Sequence, residues 1–164
     1  MITQEELKRQ LHYANETGIL TWLVSNSPSV KIGDIAGTKR PDGYMSIQIN
    51  CKRYLSHRLA WLYVYGEIPL KYIDHINTIK DANWILNLRE ATRSENHFNR
   101  GAYKNNTSGF KGVAFHKETN KWVAQAWLNG KKHYLGLFPT PELASEAYQA
   151  FAIKHHGEFY NMDN

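Results

Sequence analysis

The sequence predicts an α+β protein in two modules, and three observations carry that expectation. Helix-period and alternating segments interleave through the N-terminal part of the chain. Acid, histidine and amide side chains concentrate between residues 74 and 99. The C-terminal third reads as three strands and then one helix, enough for a folding unit of its own.

Each element has a local reason. Thr3 followed by Glu6 is a capping box, and Leu7 and Leu11 sit at helical spacing, so residues 4–13 should form a short helix. Residues 18–24 read as a strand. Residues 25–42 are turn-rich, with Pro28, Gly33, Gly37, Pro41 and Asp42 before Gly43. Residues 44–49 alternate polar and apolar side chains and should pair with 53–56 across Asn50, Cys51 and Lys52 as a hairpin. Residues 57–65 carry Leu59, Leu62 and Val64 near Trp61 on a helical face that ends at Gly66.

Residues 101–108 are polar, small and without apolar periodicity, and they read as a linker. The expected domains are therefore 1–100 and 109–164. In the second, residues 110–116, 121–128 and 132–138 should be strands, joined by 117–120 and by the hairpin dipeptide Asn129-Gly130. Thr140 is placed to cap a helix that opens with Pro141. Ala144, Ala147, Tyr148, Phe151 and Ala152 form its apolar face, and Gly157 closes it.

Composition bounds the function. The chain has 164 residues and 42% hydrophobic content, enough for a packed core in one ordinary domain or two small ones. A net charge of +5 and a pI of about 9.2 suit a polyanionic partner. The single cysteine, Cys51, allows no disulfide within the chain and fits a reducing compartment. No basic stretch followed by an apolar run opens the chain, so no signal peptide is expected. No apolar stretch approaches the roughly 20 residues that span a bilayer, so no membrane partner is expected.

The chemistry concentrates in Asp74-His75-Ile76-Asn77, then Asn87-Leu88-Arg89, then Ser94 to Asn99 with Glu95, Asn96, His97 and Phe98 between. A carboxylate and an amide oxygen can hold a hard cation such as Mg²⁺. An imidazole can activate water near neutral pH. Together these are the needs of metal-assisted phosphodiester hydrolysis.

With the upstream His57-Arg58-Leu59-Ala60-Trp61 and Ile68-Pro69, this stretch resembles the HNH nuclease family, in the branch of phage-type homing endonucleases. The resemblance covers roughly residues 50–100 and implies a ββα-metal module. It implies catalytic roles for His75, as general base, and for Asn87, which ties the loop in place. It implies Asp74 and Asn96 as ligands of one Mg²⁺ or Mn²⁺, with His57 and Asn83 in support. Thr78-Ile79 stands where the family carries Gly-Asp, and Asn83-Trp84 where it carries Asn-Arg. The lack of paired Cys-x-x-Cys motifs excludes the family's zinc-knuckle variant.

Strand parity assigns the faces of the C-terminal sheet. Trp122, Ala124, Ala126 and Leu128 share one side of the middle strand, where the alanines leave room for a helix. Lys121, Val123, Gln125 and Trp127 share the other, to which neighbouring strands should add Lys111, His116, Lys132 and Tyr134. Residues 108–113, Lys121-Trp122, residues 134–138, Pro141-Glu142, Ala144, Ala147 and Tyr148 resemble the Apetala-type (ethylene-response-factor) DNA-binding domain. That likeness implies a sheet lying in the major groove, with Lys111, His116, Gln125, Trp127, Lys132 and Tyr134 as DNA contacts. Gln can bond adenine and Lys can bond guanine there.

The expectation is a site-specific, homing-type endonuclease acting on double-stranded DNA in the cytoplasm of a bacterial or phage-infected cell. It would nick one strand as a monomer, with a dimer on DNA left open. The alternative is a sequence-specific DNA-binding regulator whose nuclease centre is weak or inactive.

Overall fold

The computed structural model describes residues 2–25, 27–101 and 106–160. Its small sheets and helices make an α+β protein, as expected. The elements divide into two compact units, Met1–Ala91 and Thr92–Asn164. Of the expected linker, residues 102–105 lie outside the described residues.

In the first unit, Thr3 caps α1 (Gln4–Gln10), its hydroxyl accepting from the Glu6 amide at 3.2 Å. The helix stops earlier than the expected residue 13. Leu11–Ala14 is instead a strand, β1, antiparallel to β2 (Ile19–Trp22). Leu7 and Leu11 satisfy a helical period, but Leu11 and Tyr13 also alternate, and burial of both against the core decides for the strand.

The turn-rich stretch contains one short strand, β3 (Thr38–Lys39), which sequence reading did not resolve. It pairs with β4 (Met45–Ile49), which pairs with β5 (Lys52–Leu55). The β4–β5 turn is shorter than expected: Asn50 and Cys51 both take positive φ, 48° and 61°, and Lys52 already belongs to the strand. That is the backbone a two-residue hairpin needs. α2 (Ser56–Tyr65) ends on Gly66 at φ 83°, a left-handed cap that glycine adopts without strain. Leu7, Leu11, Ile47, Ile49 and Leu59 are fully buried between these elements. β6 (Tyr72–His75) pairs antiparallel with β7 (Leu88–Ala91), and a 3-10 turn at Ile85–Asn87 leads into β7.

The second unit opens with α3 (Arg93–Asn99). Next comes the antiparallel sheet β10-β9-β8, built of β8 (Val113–His116), β9 (Lys121–Leu128) and β10 (Lys131–Phe138). α4 (Pro141–His156) follows, capped by Thr140 as the sequence suggested. β8 starts three residues later than expected, because Ser108 holds the preceding segment in a turn. Its hydroxyl donates to Val113 O at 2.9 Å. Gly112, at φ 74°, lets this turn approach α4: a Cβ there would lie 2.1 Å from the Tyr148 ring. Ala124 and Ala126 pack beneath Ala144, Tyr148 and Ala152, so the alanine face is the covered one. Among the described residues no helix is long and apolar enough to cross a membrane.

Candidate active site

The β6–β7 register sets Asp74 opposite Arg89 and His75 opposite Leu88. Directly opposed residues share a face, so Arg89 reaches Asp74 across the ladder. Its Nε donates to Asp74 Oδ2 at 3.0 Å, and its second guanidinium nitrogen lies 3.0 Å from the same oxygen. Asp74 is 5% exposed, so its carboxylate is held by a cation inside the fold. Neighbours on a strand point to opposite sides, so His75 leaves Asp74 and turns toward a different set of groups.

That set comes from the loop and from α2. His75 Nε2–H donates to Asn83 Oδ1 at 3.0 Å. The carboxamide oxygen can only accept, so the proton is assigned to Nε2 and Nδ1 is the basic nitrogen. His57 meets His75 edge-on, with ring centroids 5.2 Å apart, and Tyr44 lies 5.3 Å from His57 and 5.9 Å from His75. Burial pushes the His75 pKa down, against the raising pull of Asn83, Asp74 and Asp81. Burial pushes His57 down to about 3, with His75 and Arg58 adding to the effect. Both imidazoles are therefore neutral near pH 7, the form that accepts a proton.

Asn87 braces the loop between the strands. Its Oδ1 accepts from the Asn77 amide at 3.1 Å. Its Nδ2 donates to Asn77 Oδ1 at 2.9 Å and to Ala82 O at 2.7 Å. Thr78, at φ 63°, takes the left-handed conformation that a glycine would adopt freely. Two residues that sequence reading did not select fix Asn83 from the N-terminal hairpin. Tyr13 donates its hydroxyl to Asn83 O at 2.7 Å. Gly18, at φ 73°, lies so close that a Cβ would stand 2.2 Å from the Asn83 carbonyl carbon. Neither carries a local signal, since each acts on a residue far along the chain.

The second unit holds the remaining selected residues. Asn96 is exposed on α3. Thr92 and Glu95 form a capping box at the helix start, with Thr92 Oγ1 accepting from the Glu95 amide at 3.3 Å. On the open side of the sheet, His116 stands opposite Lys121, Gln125 opposite Tyr134, and Trp127 opposite Lys132. These residues share one face, and Trp127 and Tyr134 are 60% and 65% exposed. Lys111 departs from the expectation. It lies in the turn before β8, and its ammonium is directed at backbone carbonyls of α3 rather than into the sheet face.

The donor chemistry bears on a metal. No group of three or more His, Cys, Asp or Glu placed to hold a metal occurs among the described residues. A fully protein-caged centre of zinc type therefore does not fit them. A hard cation such as Mg²⁺ does fit. It keeps several waters and needs only one or two carboxylates beside phosphate oxygens, and the buried Asp74 carboxylate is an oxygen donor of that kind.

Residues 54–98 match a family model described as HNH endonuclease. Protein 3.8 of Escherichia phage T7 is 36% identical over 106 residues, covering 63% of this chain and 85% of that protein. Uncharacterized HNH endonuclease L560 of Acanthamoeba polyphaga mimivirus is 38% identical over 105 residues, 63% of this chain and 54% of its own length. This chain thus spans about half of the mimivirus protein. APETALA2-like protein 2 of Oryza sativa subsp. indica is 39% identical over 54 residues, 33% of this chain and 12% of that protein. A solved structure of DNA binding and cleavage by the HNH homing endonuclease I-HmuI shows a loose likeness, with a TM-score of 0.43 and 21% identity over 88% of this chain and 83% of that one. The chain belongs to the HNH endonuclease family, and it is an endonuclease by that membership.

Proposed function

We propose that this endonuclease is a site-specific, homing-type enzyme that hydrolyses phosphodiester bonds of double-stranded DNA with one divalent metal. The observation that carries the reading is the bond from His75 Nε2 to Asn83 Oδ1, which leaves a neutral imidazole with Nδ1 as its basic nitrogen. A nitrogen of that kind takes a proton from water attacking phosphorus, as a general base. Asn83 holds the ring and its tautomer. Asn87 keeps the loop bearing Asn77 and Asn83 in register. Arg89 fixes the carboxylate of Asp74.

Asp74 and Asn96 would hold Mg²⁺ or Mn²⁺, both offering hard oxygen. The bound ion would stabilise charge on the phosphate and the leaving oxygen. His57 supports the site by packing a second neutral imidazole against the base.

His116, Gln125, Trp127, Lys132 and Tyr134 would lie against the DNA, supplying base-edge and phosphate contacts. The likeness to APETALA2-like proteins and the net charge of +5 support this. One metal centre per chain would nick one strand per binding event, and cutting both strands would need a second copy. The domain division at 101–108, with cleavage before it and specificity after it, is part of the same reading, as is action in the cytoplasm. Incubation with supercoiled plasmid, with and without Mg²⁺, tests the proposal. Nicked circles that require the ion are expected. Retained binding without cleavage would favour the DNA-binding regulator.

A further inference from the structure

Lys111 carries an ammonium that the sheet face does not use. Its Nζ donates to Phe98 O at 2.6 Å and to Arg100 O, and it reaches His97 O at 3.5 Å. An ammonium has three donors, and here all three point at one end of α3. Those carbonyls lie at the C-terminal end of the helix, which carries its partial negative charge; His97 O also accepts from the Arg100 amide at 3.3 Å. α3 has only seven residues, well short of the roughly 12–15 that an isolated helix needs to persist in water. Its geometry therefore depends on what holds its ends. The Thr92–Glu95 capping box secures the start. Phe98 stacks on His156 of α4, with ring centroids 3.8 Å apart and planes 4° off parallel. Lys111 secures the finish.

We propose that Lys111 is a positioning residue for the cleavage reaction: by bonding the C-terminal carbonyls of α3 it holds the helix that presents Asn96, and it does not contact DNA. The inference rests on the reading of Asn96 as a metal ligand. The segment that begins the DNA-facing sheet thus also sets the geometry of a metal-binding helix. Folding of the C-terminal unit becomes a condition for cleavage as well as for site choice.

The test uses the full chain with Lys111→Met, which keeps the aliphatic stem and removes the donors. Lys111→Arg restores charge and donors, and Lys132→Met, which removes a cation from the sheet face, serves as the comparison. Three readouts apply: hydrogen exchange of the α3 amides, Mn²⁺ binding by calorimetry without DNA, and the salt dependence of duplex binding without divalent metal. Lys111→Met should exchange at least tenfold faster at His97–Arg100 and bind Mn²⁺ several-fold more weakly, with an unchanged salt slope. Lys111→Arg should recover most of both losses, and Lys132→Met should lower the slope by about one.

If Lys111→Met lowers the salt slope by about one while α3 exchange stays at the wild-type rate, Lys111 is a phosphate contact and the proposal is overturned. Asn96→Leu separates this failure from that of the underlying reading. Unchanged Mn²⁺ affinity in Asn96→Leu removes the ligand assignment, whatever Lys111 does. A loss in Asn96→Leu with none in Lys111→Met overturns the positioning role alone.

Discussion

The carboxamide of Asn83 accepts a hydrogen bond from His75 Nε2 at 3.0 Å, and this contact decides which nitrogen of the histidine is basic. Tyr13 and Gly18 hold the Asn83 backbone, so the N-terminal hairpin acts on the base through one intermediate residue.

Replacing Asn83 should change the rate and its pH dependence together. Asn83→Leu frees the tautomer and should cost on the order of 10–100-fold in kcat, by analogy with the loss of a partner that orients a metal-ligating imidazole. Asn83→Asp places a carboxylate on Nε2 and stabilises the imidazolium. The base is then neutral only at higher pH, and the acid limb of the kcat profile should move up. Rate–pH profiles of the two variants check this; wild-type profiles in both would remove Asn83 from the mechanism.

Thr78 stands at φ 63°, where a β-branched side chain is strained. Relief of a left-handed residue is worth about 1–2 kcal/mol, and the extra unfolded-state freedom of glycine takes back about 0.4–1 kcal/mol. Thr78→Gly should therefore stabilise the fold by roughly 0.5–1 kcal/mol in urea titration. A clear loss of stability would show that the Thr78 side chain makes a contact of its own.

His57 should make stability depend on acid. An unfolded imidazole titrates near 6.5, whereas burial pushes His57 down to about 3. Between those values the unfolded chain binds a proton that the fold does not. The contribution is complete above pH 6.5 and is lost as pH falls, by at most about 1.4 kcal/mol per unit. His57→Gln should flatten the decline between pH 6.5 and 4.5 in denaturant titrations. An equal slope in the variant and wild type would show that other groups carry it.

The open sheet face should separate charge from site choice. Lys132→Ala should weaken binding to all duplexes alike and reduce the salt slope by about one. Gln125→Ala should instead relax preference among sequences, by about 1–3 kcal/mol at the base it reads. Competition binding across a randomised duplex pool distinguishes the two. Identical specificity profiles for Gln125→Ala and wild type would place base readout elsewhere.

Much of this was legible in the sequence because the signals were local. Thr3 with Glu6, Thr140 with Pro141, and Asn129 with Gly130 each specify a cap or turn within a few residues. Alternation placed Gln125, Trp127 and Ala124 on the correct sides of β9. What escaped depends on partners distant in sequence. Leu11 satisfied a helical period as well as a strand, and pairing with Trp22 decided between them. Tyr13 and Gly18 look like ordinary core and turn residues until Asn83 is beside them. Lys111 reads as one more basic residue near a sheet, and only the folded chain turns its ammonium onto α3. Thr78 stands where the family carries glycine, and only the folded chain shows that its backbone takes the left-handed conformation a glycine adopts, at φ 63°.

The central claim is that His75 is the base of a metal-dependent DNA cleavage reaction. The most direct measurement is the single-turnover cleavage rate of His75→Ala on duplex DNA in Mg²⁺, with binding of the same duplex followed in parallel. The rate should fall by about 10²–10⁴ while affinity stays close to that of the wild type. Cleavage by His75→Ala at the wild-type rate would contradict the account.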